Sequence, residues 1–322
     1  MPTAIEARDL TRIFKTKDGP VEAVRGLSLD VAEGEVVAFL GPNGAGKSTA
    51  TRMLTTLLPP SSGTARIAGH DVGREPDAIR RKIGYVGQGT GSGPYHRVLD
   101  ELLVQGAAQR MDRAAARTRA AELIAMLELD GLEKRDCASL SGGQKRRLDV
   151  ALGLMHTPQI LFLDEPTTGL DPHSRANLWA HITGLRKQTG VTIFLTTHYL
   201  DEADSMAERV MIMDAGKIIA DDTPERLKAK LGGDTLDLRF GAPDDARSAA
   251  ALAGRVPGVR DIAVNDNVLR FVVADGEALL PRFIREAAAA GIDIAAASVR
   301  RPTLDNVFLS LTGRSLREHA AA

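Results

Sequence analysis

Three stretches of this chain carry residue types that handle phosphate, each at a spacing that gives it a use. Gly41-Pro42-Asn43-Gly44-Ala45-Gly46-Lys47-Ser48-Thr49 fits G-x-x-x-x-G-K-[ST]. Its glycines let consecutive backbone N–H groups curl around phosphate oxygens, and a helix beginning at the lysine adds its positive end. Lys47 can reach the β- and γ-phosphates, and Ser48 offers the hydroxyl that a Mg²⁺ ion takes as a ligand. Ile160-Leu161-Phe162-Leu163-Asp164-Glu165 is an apolar run ending in two acids. Neighbouring strand residues point to opposite faces, so the acids have separate jobs open to them. Asp164 is suited to holding Mg²⁺ through water, and Glu165 to polarising the water that attacks the γ-phosphate. Leu140-Ser141-Gly142-Gly143-Gln144 reads as a helix N-cap followed by two glycines, which leaves the first N–H groups of that helix open to a second anion.

These residues are useful only if regular elements hold them. Apolar runs at Glu35–Leu40, Ile83–Val86, Ile160–Leu163, Val191–Leu195 and Val210–Met213 alternate with helical patterns that include 47–58, 97–129, 142–156 and 173–188. Near-continuous apolar strands separated by helices predict an α/β domain on a mainly parallel sheet, with the phosphate loop between a strand and the helix after it. Ahead of it, strand-like pieces at Ala4–Leu10, Val21–Val24 and Leu27–Val31 predict an antiparallel subdomain. At Leu231-Gly232-Gly233-Asp234 the pattern changes. A strand (Thr235–Phe240), a helix after a Pro243-Asp244-Asp245 cap, a hairpin centred on Asn265-Asp266-Asn267 and an Ala-rich helix predict a small α+β appendage. The expected domains are 1–231 and 235–314, with disorder confined to the last several residues.

In this order, the phosphate loop, the Leu140–Arg147 stretch and the Asp164-Glu165 pair resemble the motif set of ATP-binding-cassette (ABC) ATPases, the nucleotide-binding subunits of ABC transporters. The resemblance implies a P-loop NTPase fold of ABC type, with an N-terminal antiparallel β subdomain and a helical signature subdomain. It implies ATP and Mg²⁺ as ligands, held by Gly41 to Thr49 together with Gln88 and Asp164. It also implies a homodimer in the ATP-bound state, in which Ser141, Gly142, Gly143 and Gln144 of one chain face the γ-phosphate held by the phosphate loop of the other. Residue by residue, Gln88 matches the glutamine that contacts Mg²⁺ and the attacking water, so that Ser48, Gln88 and Asp164 surround the metal. His198 matches the histidine that contacts the γ-phosphate and supports the catalytic Glu165, and Asp171 a loop that communicates across the dimer. Phe14 falls where the family stacks an aromatic ring on adenine, with Val24 beside it; an ordinary strand residue is the competing reading of Phe14. The chain departs from the family after Gln88, where Gly89-Thr90-Gly91-Ser92-Gly93-Pro94 carries more glycines than relatives usually do. In the family this surface receives a cytoplasmic helix of the permease; a plain surface loop is the competing reading.

Composition narrows the class further. The chain has 41 Lys+Arg against 42 Asp+Glu, so nothing in its bulk charge draws it to nucleic acid or acidic lipid. Apolar residues make up 43% of it, yet no run approaches the ~18 residues of a membrane span, and the Ala-rich stretch 287–297 is broken by Asp293. Cys137 is the single cysteine and is read as a small packing residue; with no secretory leader pattern at the N-terminus, the expected setting is reducing and cytosolic.

The segment from Arg301 to Arg314 looks like the end of the daunorubicin/doxorubicin-resistance branch of drug-exporting ABC ATPases. By themselves Leu304, Val307, Phe308 and Leu311 recur at helical spacing and predict an amphipathic helix ended by Gly313. The resemblance implies an ATP-hydrolysing subunit that energises efflux of a drug or antibiotic through a separate permease, peripheral to the cytoplasmic side of the cell membrane. The appendage would then serve dimer stability or subunit contact. The alternatives are an ATPase for lipid or polysaccharide export, or a soluble non-transport ABC ATPase; a second cassette or a long coiled-coil insertion, common in the latter, is missing.

Overall fold

The computed structural model describes residues 2–17 and 19–313. Arg314 and the expected disordered tail lie outside the described residues. The chain divides into two compact units, up to Thr223 and from Pro224 onward.

The first unit is built on a six-stranded sheet in the order 217–222, 209–214, 36–40, 192–197, 160–164 and 83–86. All neighbours are parallel except the edge hairpin Arg209–Asp214 with Lys217–Asp222. Strands Val36–Leu40, Ile160–Asp164 and Thr192–Thr197 are buried at every position, as expected of a sheet covered on both faces. Phe39, Phe162 and Phe194 knit the middle of this sheet, with ring centroids 5.6 Å apart in each of two tilted pairs. Against the phosphate-loop side lies a four-stranded antiparallel sheet, ordered 19–32, 3–16, 62–67 and 70–71. The two pieces read between Val21 and Val31 are one long strand, Gly19–Ala32, and its pairing with Thr3–Thr16 slips register around Leu10 and Arg12.

The helical pattern over 97–129 is two helices, Val98–Ala108 and Arg113–Met126. The break has a local cause. Arg110 sits at φ +60°, and Asp112 caps the second helix by accepting from the N–H groups of Ala114 and Ala115 at 2.9 and 3.3 Å. Among the described residues no helix is long and apolar enough to cross a membrane.

The second unit runs strand, helix, two strands, helix, strand. Its sheet is ordered 260–265, 268–273, 234–240 and 294–300, antiparallel throughout, a split βαβ arrangement. Helices Pro243–Ala253 and Gly276–Ala289 pack on the apolar side of Leu236, Leu238, Phe240, Leu269 and Phe271. The expected cap at Pro243-Asp244-Asp245 differs in detail. Ala242 is the N-cap, Pro243 opens the helix, and the two acids lie in the first turn, where its dipole favours them. Outside this core, helix Leu304–Thr312 packs on helix Pro224–Ala229 and ends at Gly313 in the left-handed region. Leu304, Val307 and Phe308 are buried, whereas Leu311 is 48% exposed.

Candidate nucleotide site

The site lies where strand ends of the parallel sheet meet one loop. Strand Val36–Leu40 runs into the phosphate loop, and helix Lys47–Leu54 leaves it. Two glycines there cannot be replaced freely. A Cβ on Gly41 would lie 2.2 Å from the Met213 carbonyl, and Gly46, at φ +105°, would bring one to 2.3 Å from the Ala23 carbonyl. The loop opens on a cleft of about 400 Å³ lined by Ala23, Asn43, Gly44, Gly46, Lys47, Ser48, Thr49, Gln88 and Glu165.

Lys47 is buried, and its ammonium donates to the carbonyls of Gly41 and Pro42 at 2.7 and 3.0 Å. It also lies 3.4 Å from Glu165 Oε1. Burial pulls its pKa below the usual lysine value, against the pull of Glu165. Glu165 follows the last strand residue, Asp164, and adopts φ +48°, a left-handed conformation that a side chain rarely takes and that concentrates at functional sites. Its backbone N–H donates to both the carbonyl and the hydroxyl of Thr196, at 3.1 and 3.0 Å, which pins this turn to the next strand. Its Oε2 is 3.1 Å from His198 Nδ1 and accepts from Thr168 Oγ1 at 3.2 Å. Burial alone would raise the Glu165 pKa; the His198 contact and the Lys47 charge outweigh it and hold the carboxyl below the usual range. Glu165 is therefore an ionised acceptor at neutral pH, as a base for water must be.

Asp164 is fully buried. Its Oδ1 accepts from Ser48 Oγ at 3.0 Å and Thr196 Oγ1 at 2.6 Å, while Oδ2 is buried with no partner. Gln88 Nε2 donates to Ser48 Oγ at 3.0 Å, so a carboxylate and an amide from two other elements meet at this one hydroxyl. An orphaned carboxylate oxygen beside a hydroxyl and an amide is a hard donor set. It fits Mg²⁺, which is commonly held by one or two carboxylates together with substrate phosphates and waters. Among the described residues no cluster of three or more His, Cys, Asp and Glu could hold a metal by itself.

Ser141 to Gln144 lie elsewhere and do not line this cleft. They open the signature helix, Gly142–Leu154, where Ser141 and Gln144 form a reciprocal capping box, with Gln144 N donating to Ser141 Oγ at 3.2 Å and Ser141 N to Gln144 Oε1 at 2.9 Å. Asp171 caps helix Pro172–Thr189 through Ser174 N at 2.9 Å. Phe14 is half-buried with the Arg12 guanidinium 4.8 Å over its ring. Val24 is 0% exposed and belongs to the core, while its neighbour Ala23 lines the cleft; strand alternation gives the opening to the odd residue. Cys137 is buried, where burial pushes its thiol pKa up. Sequence reasoning missed Thr196, which ties both acids together, and Arg146, whose side-chain hydrogen bonds all go to backbone carbonyls.

A phosphate loop facing strand-end carboxylates on a parallel sheet, with a glycine-opened signature helix between them in sequence, defines a P-loop ATPase of the ABC type. Comparison with known proteins agrees. The family model of the ABC transporter matches residues 24–168, and that of the ATP-binding protein DrrA1-3-like C-terminal domain matches 223–312. The daunorubicin resistance ATP-binding protein DrrA3 of Streptomyces coeruleorubidus is 42% identical over 94% of this chain and 95% of its own length. The daunorubicin/doxorubicin resistance ATP-binding protein DrrA of Streptomyces peucetius is 41% identical over 96% and 92%. A solved ATP-binding cassette, dimeric in a post-hydrolysis state with ADP and phosphate bound, superposes with a TM-score of 0.63 at 27% identity, covering 68% of this chain and 98% of its own. The chain belongs to the daunorubicin/doxorubicin-resistance family of ABC ATP-binding proteins, and it is an ATPase.

Proposed function

We propose that this chain is the Mg²⁺-dependent ATPase subunit of an exporter, that it pairs with a second copy when ATP is bound, and that it drives efflux of a drug or antibiotic through a separate permease. In this reading the unit up to Thr223 is the cassette and the unit from Pro224 onward an accessory domain, a boundary earlier than the expected 231, and the protein sits peripherally on the cytoplasmic side of the membrane. The observation that carries the reading is that Lys47, Ser48, Gln88 and Glu165 line one cleft, with Asp164 bound to Ser48 and His198 to Glu165 directly behind them.

The loop amides and Lys47 hold the β- and γ-phosphates, while Ser48, Asp164 and Gln88 would hold Mg²⁺, which supplies charge neutralisation on those phosphates. Glu165 takes the proton of the attacking water, and His198 keeps the carboxylate oriented. Ser141 to Gln144 present their helix end to the nucleotide on the partner, so hydrolysis requires the closed pair. Phe14 offers its outer face to the adenine. The groove beside Gln88, about 340 Å³ and lined by Tyr85, Gln105, Gln109 and His156, is suited to a helix of the permease.

The test is reconstitution. The chain is co-expressed with a candidate polytopic partner, and inverted vesicles are assayed for ATP-dependent uptake of anthracyclines, with Lys47→Ala as control. Uptake that needs both chains and ATP supports the reading. Co-purification without anthracycline uptake, but with uptake of a lipid or polysaccharide, replaces the substrate class; no membrane partner at all refutes the exporter assignment.

A further inference from the structure

Arg146 and Asp149 form a charged pair on the signature helix that the chemistry above does not use, and both are buried, at 7% and 6% exposure. Arg146 donates from Nε to the Pro166 carbonyl at 2.6 Å and from Nη1 to the Gly87 carbonyl at 2.7 Å. Its Nη2 reaches the carbonyls of Asp164 and Glu165 at 3.3 and 3.4 Å. Two loops thus meet on one guanidinium: the one that leads into Gln88 and the one that carries Glu165. Three residues along the helix, Asp149 Oδ1 accepts from Gly91 N at 2.8 Å, and its Oδ2 lies 3.8 Å from Arg146 Nη1. From helix Val98–Ala108, Glu101 accepts from Gly93 N at 2.7 Å. The loop around Gln88 is therefore anchored at Gly87, Gly91 and Gly93, and the signature helix supplies two of these three anchors.

A planar guanidinium with its donors in a fixed fork can serve carbonyls on two loops at once, whereas an ammonium cannot span them. We propose that Arg146 and Asp149 are positioning residues that lock Gln88 and Glu165 to the signature helix. Seating of Ser141–Gln144 on one nucleotide then aligns the glutamine and the base at the other. This inference rests on the head-to-tail pairing proposed above. It makes each chain a relay, since the helix that senses the partner's nucleotide carries the groups that act on its own.

Arg146→Lys keeps the cation and loses the fork. Hydrolysis by the full chain is followed against ATP concentration, with equilibrium binding of a fluorescent nucleotide and thermal melting on the same preparations. Wild type shows a Hill coefficient above one. Arg146→Lys falls to one with kcat down roughly tenfold, within the usual range for coupling between sites, while nucleotide affinity and melting stay near wild type. Asp149→Asn, which still offers an oxygen to Gly91 N, retains more cooperativity than Asp149→Ala. A Lys variant with unchanged kcat and cooperativity, or a wild type without cooperativity, overturns the proposal. If Arg146→Lys does not fold, hydrogen exchange on the Glu165→Gln chain decides. ATP must raise protection of 87–93 and 164–168 together with 141–146, and protection of 141–146 alone refutes it. Ser141→Arg separates the two levels of inference. If it hydrolyses normally, head-to-tail pairing fails; if it is dead while Arg146→Lys is normal, only the relay fails.

Discussion

Replacing Glu165 by Gln keeps the shape of the side chain and removes its charge and its basicity. Three contacts surround the carboxylate: Lys47 at 3.4 Å, His198 at 3.1 Å and Thr168 at 3.2 Å. The amide oxygen can still accept from Thr168, so packing survives, and the Lys47 donors to Gly41 and Pro42 are untouched. What disappears is proton acceptance from water, and general-base catalysis accounts for about 10²- to 10⁴-fold in rate, or roughly 2.7–5.5 kcal/mol of barrier. His198→Ala provides the internal scale. It removes one hydrogen bond to a charged group, about 1.5–3 kcal/mol, and so costs roughly 10- to 150-fold while leaving the base in place. The expected order in kcat is wild type, His198→Ala, then Glu165→Gln. Nucleotide affinity should be close to wild type in both variants, and Glu165→Gln should accumulate as an ATP-dependent dimer by size exclusion. Phosphate release in single-turnover and steady-state modes measures the rates, and a fluorescent nucleotide measures binding. Normal turnover by Glu165→Gln would refute its assignment as the base. Loss of nucleotide affinity would show instead that the carboxylate serves to hold Lys47.

Lys47→Ala should weaken nucleotide binding by roughly 100-fold or more, since it removes the charge-assisted contact to the phosphates. It also leaves buried Glu165 with only His198 and Thr168 as side-chain partners, which lowers stability, so a denaturation curve must accompany the binding isotherm. Thr196→Val keeps the volume and removes the hydroxyl shared by Asp164 Oδ1 and the Glu165 amide. The first unit should lose about 1.5–3 kcal/mol in chemical denaturation, and a loss under about 0.5 kcal/mol would mean that the two acids are held by other means. The pH dependence follows from the depressed Glu165 pKa. A carboxyl whose folded value lies below its unfolded value of about 4.3 adds stability above that value and loses it as pH falls toward the folded one. The advantage of wild type over Glu165→Gln in denaturation midpoint should therefore be full near neutral pH and shrink through the acid range. A constant gap would contradict the shift.

The chemistry was legible where it is local. The phosphate loop, the strand-end acids and the signature stretch Leu140–Arg147 each fit within nine consecutive residues, and apolar runs beside them announce the strands and helices that hold them. Gln88 and His198 are far from these in sequence, and came from the family pattern; the structure sets them 3.0 Å from Ser48 and 3.1 Å from Glu165. Thr196 was invisible because a threonine inside a buried strand looks like any β-branched strand residue. Its use depends on register with Asp164, to which it lies opposite in the parallel ladder. The structure puts Val24 in the core and gives the cleft to Ala23. Register slips between Leu10 and Ile13 decide which of two adjacent residues faces the cleft, and no local pattern records a slip.

The accessory unit was harder to read for a different reason. Strand Arg260–Asn265 is exposed along its whole length, so it lacks the alternation that marks a half-buried strand. Ile294–Arg300 contains Ala-Ala-Ala, a helical composition that edge pairing with Asp234–Phe240 overrides. Only the central strands, with Leu236, Leu238, Leu269 and Phe271 buried on one side, carry a clear period of two. The consequence extends to Arg146. Its hydrogen bonds span 18 to 59 residues and end on carbonyl oxygens, which every residue possesses, so no side-chain type at the far end could betray them. A residue that works through backbone acceptors leaves its partners free to vary in sequence, provided the loops keep their path. The signature helix is therefore more than the anion-binding end its cap and glycines spell out, because Arg146, buried on its flank, reaches both loops of the site.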